Sequence, residues 1–171
     1  MKKIFTALAM AGSAPVAMTA AAPAVVAQDK ATDGFEIPTP PEGKGQIIFY
    51  RTGGLSGAAI GCGVFEAEGT EKLSSLGSGR YFVLVSEPGE RSFKAKSIES
   101  KDILTLEVEP DETQFVRCKI KMGFLSGRPN ISPSSEKEFR KKYKNAKLVD
   151  SDDMSDDIRA MNYDDTTAEA P

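Results

Sequence analysis

The chain contains no histidine and no tryptophan. Without an imidazole there is no Ser-His-Asp or Cys-His nucleophile pair, no histidine metal ligand and no histidine pH switch. Many hydrolase and zinc-enzyme designs are thereby excluded, and only carboxylate, lysine and tyrosine chemistry remain. Cysteine is almost as scarce: Cys62 and Cys118 stand alone and form no Cys-x-x-Cys pair, which argues against a catalytic redox site. Long apolar runs are lacking too. The one extended apolar stretch lies at the start, where Gly12, Pro15 and Pro23 interrupt it, so no membrane span is expected.

That start has a build of its own. Lys2 and Lys3 precede an apolar Ile4 to Met10, small residues lead to Val25-Val26-Ala27, and the polar Gln28-Asp29-Lys30 follows. This is the pattern of a secretory signal peptide, residues 1–27, cut between Ala27 and Gln28. A bacterial periplasmic or secreted location follows as the expectation. A lipoprotein needs a cysteine at the cleavage point and the first here is Cys62, so no lipid anchor is expected. The leader holds two of the 22 basic residues and none of the 25 acidic ones, which leaves 20 against 25 in the remainder. A mildly acidic chain argues against nucleic acid or an anionic membrane surface as the main partner; the exported location leaves an envelope protein or cell-wall component as the expected partner. No cofactor is implied.

Residues 28–43 carry Pro38, Pro40 and Pro41 and few apolar side chains, as an extended linker does. Beyond it, short apolar segments alternate with turn residues. Strands are expected at 46–51, 60–67, 72–76, 80–86, 91–98, 103–108 and 113–122. In 80–86 both faces are apolar, which suggests a strand buried on both sides. Phe93 and Ala95 alternate with Lys94 and Lys96, and Val116, Cys118 and Ile120 with Arg117, Lys119 and Lys121, as half-exposed strands do. Glu87-Pro88-Gly89-Glu90 is a tight turn in which proline fixes φ and glycine accepts a positive one. Seven strands with no helix between them predict an all-β fold, an antiparallel β-sandwich of Ig-like or transthyretin-like type spanning 44–131.

After Pro133 the pattern changes. Ser135 with Glu138 three residues on is a capping-box start, and Phe139, Tyr143 and Ala146 make a narrow apolar stripe. This predicts an amphipathic helix over 134–148, lying on the sandwich's edge or an open end, with Glu136–Arg140 and Glu138–Lys142 pairs along it. The acidic residues 149–171 are expected to be disordered, or transiently helical around Met154, Ile158 and Met161. Asp150 to Asp157 lacks the central glycine and terminal glutamate of a calcium loop, so no metal site is expected. The acidic tail is expected to screen the basic helix.

The run Ser78-Gly-Arg-Tyr-Phe-Val-Leu-Val-Ser-Glu-Pro-Gly-Glu-Arg-Ser-Phe-Lys-Ala-Lys96, with Leu104-Thr-Leu-Glu-Val108, Gln114-Phe-Val-Arg-Cys118, Lys121-Met-Gly-Phe124 and the opening Gly45-Gln-Ile-Ile-Phe-Tyr-Arg51, resembles a bacterial family of exported or lipoprotein-borne domains of unknown function. Its strand-Pro-Gly-strand hairpin is similar to that of PEGA-type and transthyretin-like modules. The resemblance implies an envelope β-sandwich with no assigned activity, so it carries over no catalytic residue.

Two constellations remain. In an oxidising compartment Cys62 and Cys118 are expected to form a disulfide, with two buried free thiols as the other reading. Closing a loop of about 57 residues would stabilise the fold by roughly 4 kcal/mol in the chain-entropy picture. Two loops leave strands through Leu-Ser-Gly: the first with Arg51, Gly53, Gly54, Ser56 and Gly57, the second with Ser126, Gly127 and Arg128. Glycines let backbone N–H groups converge on an anion and the arginines add charge, which makes these residues candidate ligand loops. Neither has the Gly-x4-Gly-Lys-Ser/Thr spacing of a phosphate cradle, so flexible sandwich-end loops are the plainer reading. The expected function is non-enzymatic: an exported binding or structural accessory. A secreted inhibitor or adhesin acting through the sandwich-end loops is one alternative. A glycan-acting enzyme is another, needing two carboxylates about 5–10 Å apart in a cleft.

Overall fold

A computed structural model of the chain describes residues 36–54, 58–96, 102–122, 127–142 and 147–163, all within one compact unit, 31–171. The cleavage residues Ala27 and Gln28, the first part of the linker, Ser56, Gly57 and Ser126 lie outside the described residues.

Apolar alternation fixes the sheets. The strands are β1 (Gly45–Arg51), β2 (Cys62–Glu66), β3 (Lys72–Leu76), β4 (Arg80–Ser86), β5 (Gly89–Ala95), β6 (Ile103–Val108), β7 (Thr113–Met122), β8 (Gly127–Ser134) and the short β9 (Lys147–Leu148). Two helices accompany them, α1 (Glu136–Lys142) and α2 (Asp156–Asn162). One sheet has the order β8-β7-β1-β4-β9 and the other β3-β2-β5-β6. The fold is thus the all-β sandwich expected, with a C-terminal helix. Most neighbours are antiparallel, but β1 runs parallel to β7 and β4 parallel to β9.

Period-2 alternation explains where each side chain goes. From β1, Ile47 and Phe49 enter the space between the sheets, where Phe49 stacks on Phe82 at 4.9 Å and meets Phe93 edge-on at 5.1 Å. Ile48 and Tyr50 point the other way, into a second apolar cluster with Val83, Phe115 and Phe139. Helix α1 therefore lies on the outer face of the five-stranded sheet, not on the sandwich's edge or end. Its start is capped as the sequence implies: the Glu138 N–H donates to Ser135 Oγ at 3.3 Å. The Glu136–Arg140 pair forms at 2.6 Å, and the Glu138 carboxylate turns to Arg117 and Ser134. Tyr143 and Ala146 of the expected stripe fall outside the described residues.

The Pro88-Gly89 turn has its expected conformation, with Gly89 at φ 131°. The two strands it joins lie in different sheets, however, so the motif is a corner between layers and not a hairpin. The reason is occupancy: β4 already pairs with β1 on one edge and β9 on the other, which leaves no edge for β5. A second corner, Glu109 to Glu112, joins β6 to β7. There Asp111 takes φ 60°, its carboxylate accepts from the Gly43 N–H at 2.9 Å and its own N–H donates to Lys44 O at 2.8 Å.

In the acidic segment expected to be disordered or transiently helical, residues 149–163 are held against both sheets. The Val149 N–H donates to Tyr81 O at 2.9 Å, Met154 bridges to Ser74 of the other sheet, and the Ser155 N–H donates to Leu73 O at 2.9 Å. Val149, Met154 and Ile158 are buried in the main core. Helix α2 then returns the chain to the first sheet. The Asn162 side chain accepts from the Val83 N–H at 2.8 Å and donates to Val83 O at 2.7 Å. One amide thus replaces the next residue of β9 along the edge of β4. The strap joins both sheets across the β3–β4 side and covers both of those edges, where unpaired backbone would invite other chains.

Candidate binding surface

Cys62 opens β2 and Cys118 lies mid-β7, in opposite sheets and both buried. They form a disulfide with Cα atoms 6.7 Å apart that joins the two sheets inside the core across a separation of 56 residues.

Gly127, which ends the second Leu-Ser-Gly segment, lies against Ile60 on the chain that follows the first. A Cβ added at Gly127 would sit 2.4 Å from Ile60 Cδ1 and 2.8 Å from Ile120 Cγ2, so only glycine permits this approach of β8 to the chain entering β2. Gly53 runs beside Gly79, while the Gly54 N–H donates to Ser78 Oγ and the Ser78 hydroxyl donates back to Gly54 O, both at 3.2 Å. The first loop's N-terminal arm is thereby pinned to the β3–β4 turn. Neither Gly53 nor Gly54 adopts positive φ, and the Gly54 N–H is taken by Ser78.

The two arginines part company. Arg51 shares the inner face of β1 with Ile47 and Phe49 and is only 4 % exposed. Its guanidinium donates to Ile60 O and reaches Leu76 O at 3.4 Å, and burial pulls its pKa below the ordinary guanidinium value. Arg51 is therefore an internal tie between β1, the loop end and β3, and not a group offered to a ligand. Arg128 lies on the outward-facing side of β8, directly across from Lys121, and Asn130 lies across from Lys119. The outward row of β7 runs Phe115, Arg117, Lys119, Lys121 from beneath α1 towards the loop end. Lys119 and Lys121 are exposed and Arg128 half-buried. Sequence reading placed both lysines on the exposed face of a half-exposed strand; their register with Arg128 becomes visible only once β8 is seen as a strand.

Where this row passes under α1, a polar network holds the helix. The Tyr50 hydroxyl lies 2.6 Å from Ser134 Oγ, which donates to Glu138 Oε2 at 2.9 Å, while Arg117 Nη1 lies 3.5 Å from Glu138 Oε1. Arg117 is 7 % exposed and its Nε is buried without a hydrogen-bond partner among the described residues. Burial pushes the Tyr50 phenol above its ordinary value, opposed by the Ser134 hydrogen bond and the Arg117 charge.

The outer face of the four-stranded sheet differs. A cleft of about 500 Å³ there is lined by Glu66, Glu68, Glu90, Arg91, Ser92 and Thr105 among others. Glu66 is tied to Arg91, which also donates to Ser86 Oγ at 2.6 Å and lies 5.8 Å from the Phe93 ring centre. Glu68 and Glu90 face solvent. Among the described residues no group of three or more His, Cys, Asp or Glu is placed to hold a metal ion, and no helix is long and apolar enough to cross a membrane.

Comparison with protein-family models, with curated proteins and with solved structures gives no match for this chain.

Proposed function

We propose that this protein is exported into a bacterial envelope compartment, where it serves as a non-enzymatic binding accessory built on a disulfide-closed β-sandwich. The observation that carries this reading is the Cys62–Cys118 bridge buried between the two sheets. A bridge of this kind persists in oxidising compartments and is rare where thiols are kept reduced. The leader-like residues 1–27 supply a route to such a compartment. The resemblance of residues 44–131 to exported envelope domains points the same way. Arg51 and Arg117 are buried and tie the fold together, whereas Lys119 and Lys121 on the outward side of β7 are exposed, which favours a binding role.

Fractionation of bacteria expressing the full chain tests the location. The protein is expected in the osmotic-shock fluid or the medium, alongside a periplasmic marker. Co-fractionation with a cytosolic marker would overturn the reading.

A further inference from the structure

The two sheets have four lateral edges between them, and three are closed. The strap lies along β3, where the Ser155 N–H donates to Leu73 O, and along β4 through β9 and Asn162. Strand β8 ends its sheet with Pro129 and Pro133, which have no N–H to offer a neighbour. The fourth edge is β6, Ile-Leu-Thr-Leu-Glu-Val, which contains neither proline nor lysine. Hydrogen bonds on its inner side show which groups it leaves outward. The Ser92 C=O of β5 accepts from the Ala67 N–H at 2.8 Å, on the β2 side, so the backbone groups of Ser92 turn away from β6. Ser92 faces Thr105 in the register, and in such a pair the N–H and C=O of both residues point away from each other. Their hydroxyls approach to 2.7 Å, as the closer side chains of a non-hydrogen-bonded pair do. By alternation the backbone groups of Ile103, Thr105 and Glu107 all face outward. Gln114 takes one of them, donating to Glu107 O at 2.5 Å; those of Ile103 and Thr105 pair with no backbone group among the described residues.

The side chains of β6 are open in the same way. Leu104 and Leu106 point inward, yet both stay half-buried, whereas Phe93 beside them is fully buried. Ile103 is 59 % exposed, more than any other large hydrophobic among the described residues. We propose that β6 is a dimerisation edge, pairing antiparallel with β6 of a second copy so that the two four-stranded sheets become one continuous sheet. The register argues for a second copy as the occupant. With Thr105 on the two-fold axis, Thr105 exchanges both hydrogen bonds with its own copy, and Ile103 pairs in the same way with Glu107. Leu104 then stands opposite Leu106 of the second copy, and each covers the other's open flank. Ile103 lies opposite Glu107, so no carboxylate meets its own copy across the axis. A foreign strand would satisfy the backbone, but the second copy also brings leucines to both inward positions. A single short strand makes a contact at the small end of interface sizes, so the dimer dissociates on dilution. This edge goes beyond the binding-accessory reading and does not depend on it.

The test is sedimentation velocity on the oxidised, leader-cleaved protein, diluted from about 1 mM to about 1 μM. The wild type is expected to pass from dimer to monomer across the series. Ile103→Glu sets a carboxylate opposite Glu107 of the second copy and should raise the dissociation constant about tenfold. Within one chain the new carboxylate faces Lys94, so folding is not opposed. Adding Glu107→Lys to that variant should restore association, because opposite charges then face each other across the axis. Thr105→Pro removes the central outward N–H and none that β5 uses, and should leave the protein monomeric, whereas Thr105→Ala should dimerise like the wild type. Thermal unfolding reports whether each variant is folded; if Thr105→Pro is not, the Ile103→Glu variant and its rescue decide. A wild type that is monomeric at every concentration would overturn the proposal, as would a dimer indifferent to Ile103→Glu or one that Glu107→Lys fails to restore. Such a failure leaves the location reading standing, since that is tested by fractionation alone.

Discussion

The sandwich has two outer faces, and they are built on opposite principles. On the five-stranded sheet, β1 and β4 are apolar on both sides. Ile48, Tyr50, Val83 and Phe115 would be left wet if nothing lay over them, and α1 covers them by inserting Phe139 between Tyr50 and Phe115. On the four-stranded sheet, β5 and β6 turn Phe93, Leu104 and Leu106 inward and Glu90, Ser92, Thr105 and Glu107 outward. Glu90 faces Glu107, Ser92 bonds Thr105 through their hydroxyls at 2.7 Å, and Lys94 faces Ile103, which is 59 % exposed. That face needs no cover and has none among the described residues. The comparison shows how local alternation decides the number of layers: a strand apolar on both faces demands a third layer, and one with a polar face does not.

Breaking the comparison begins inside the sandwich, which both faces share. Replacing Cys62 and Cys118 with alanine should lower unfolding free energy by about 4 kcal/mol, measured by denaturant titration against the oxidised wild type. Phe139→Ala should cost about 3–5 kcal/mol by the same titration, because it empties the space between α1 and the sheet. Matched on the bare face, Thr105→Ala should cost less than about 1 kcal/mol, as only an exposed hydroxyl pair is lost. Between these, Asn162→Ala should cost about 1–3 kcal/mol, since it strands the Val83 N–H and C=O at the strap. Hydrogen exchange at Val83 should rise in that variant.

The covered face should also differ in its response to alkali. Tyr50 is buried under α1, and Tyr81 is half-buried with Tyr163 nearby; both have folded pKa values raised, chiefly by burial. Each stabilises the fold fully below the unfolded tyrosine value of about 10, and that contribution is lost as pH rises through the folded value. Stability should therefore fall above about pH 10, and Tyr50→Phe should flatten part of that decline in a pH series of unfolding curves.

Much of this was legible in the sequence where alternation and turn chemistry agreed. Strands 72–76, 80–86, 103–108 and 113–122 have the expected bounds, and Ser135 caps α1 as its spacing implies. The eighth strand was not legible, because Pro129 and Pro133 argue against a strand. They are tolerated because β8 is the outermost strand of its sheet, with an edge where a missing N–H goes unneeded. Its absence from the expectation ended the sandwich at 131 and hid the pairing of Arg128 with Lys121. The strap was obscured by composition: Val149, Met154 and Ile158 are sparse among aspartates, and their shared target becomes apparent only when the two sheets are in place. The fate of Arg51 was readable in principle, since period 2 puts it on the face of Ile47 and Phe49. Its charge and its neighbouring glycines suggested a ligand loop instead.

The buried bridge ties location to structure, and the intact mass of the protein recovered from its host tests it most directly. Alkylation before and after reduction is the readout. The account predicts a chain beginning at Gln28 that takes up no alkyl group until reduced, and two afterwards. A chain that retains residues 1–27 and is alkylated at both Cys62 and Cys118 without reduction would contradict it.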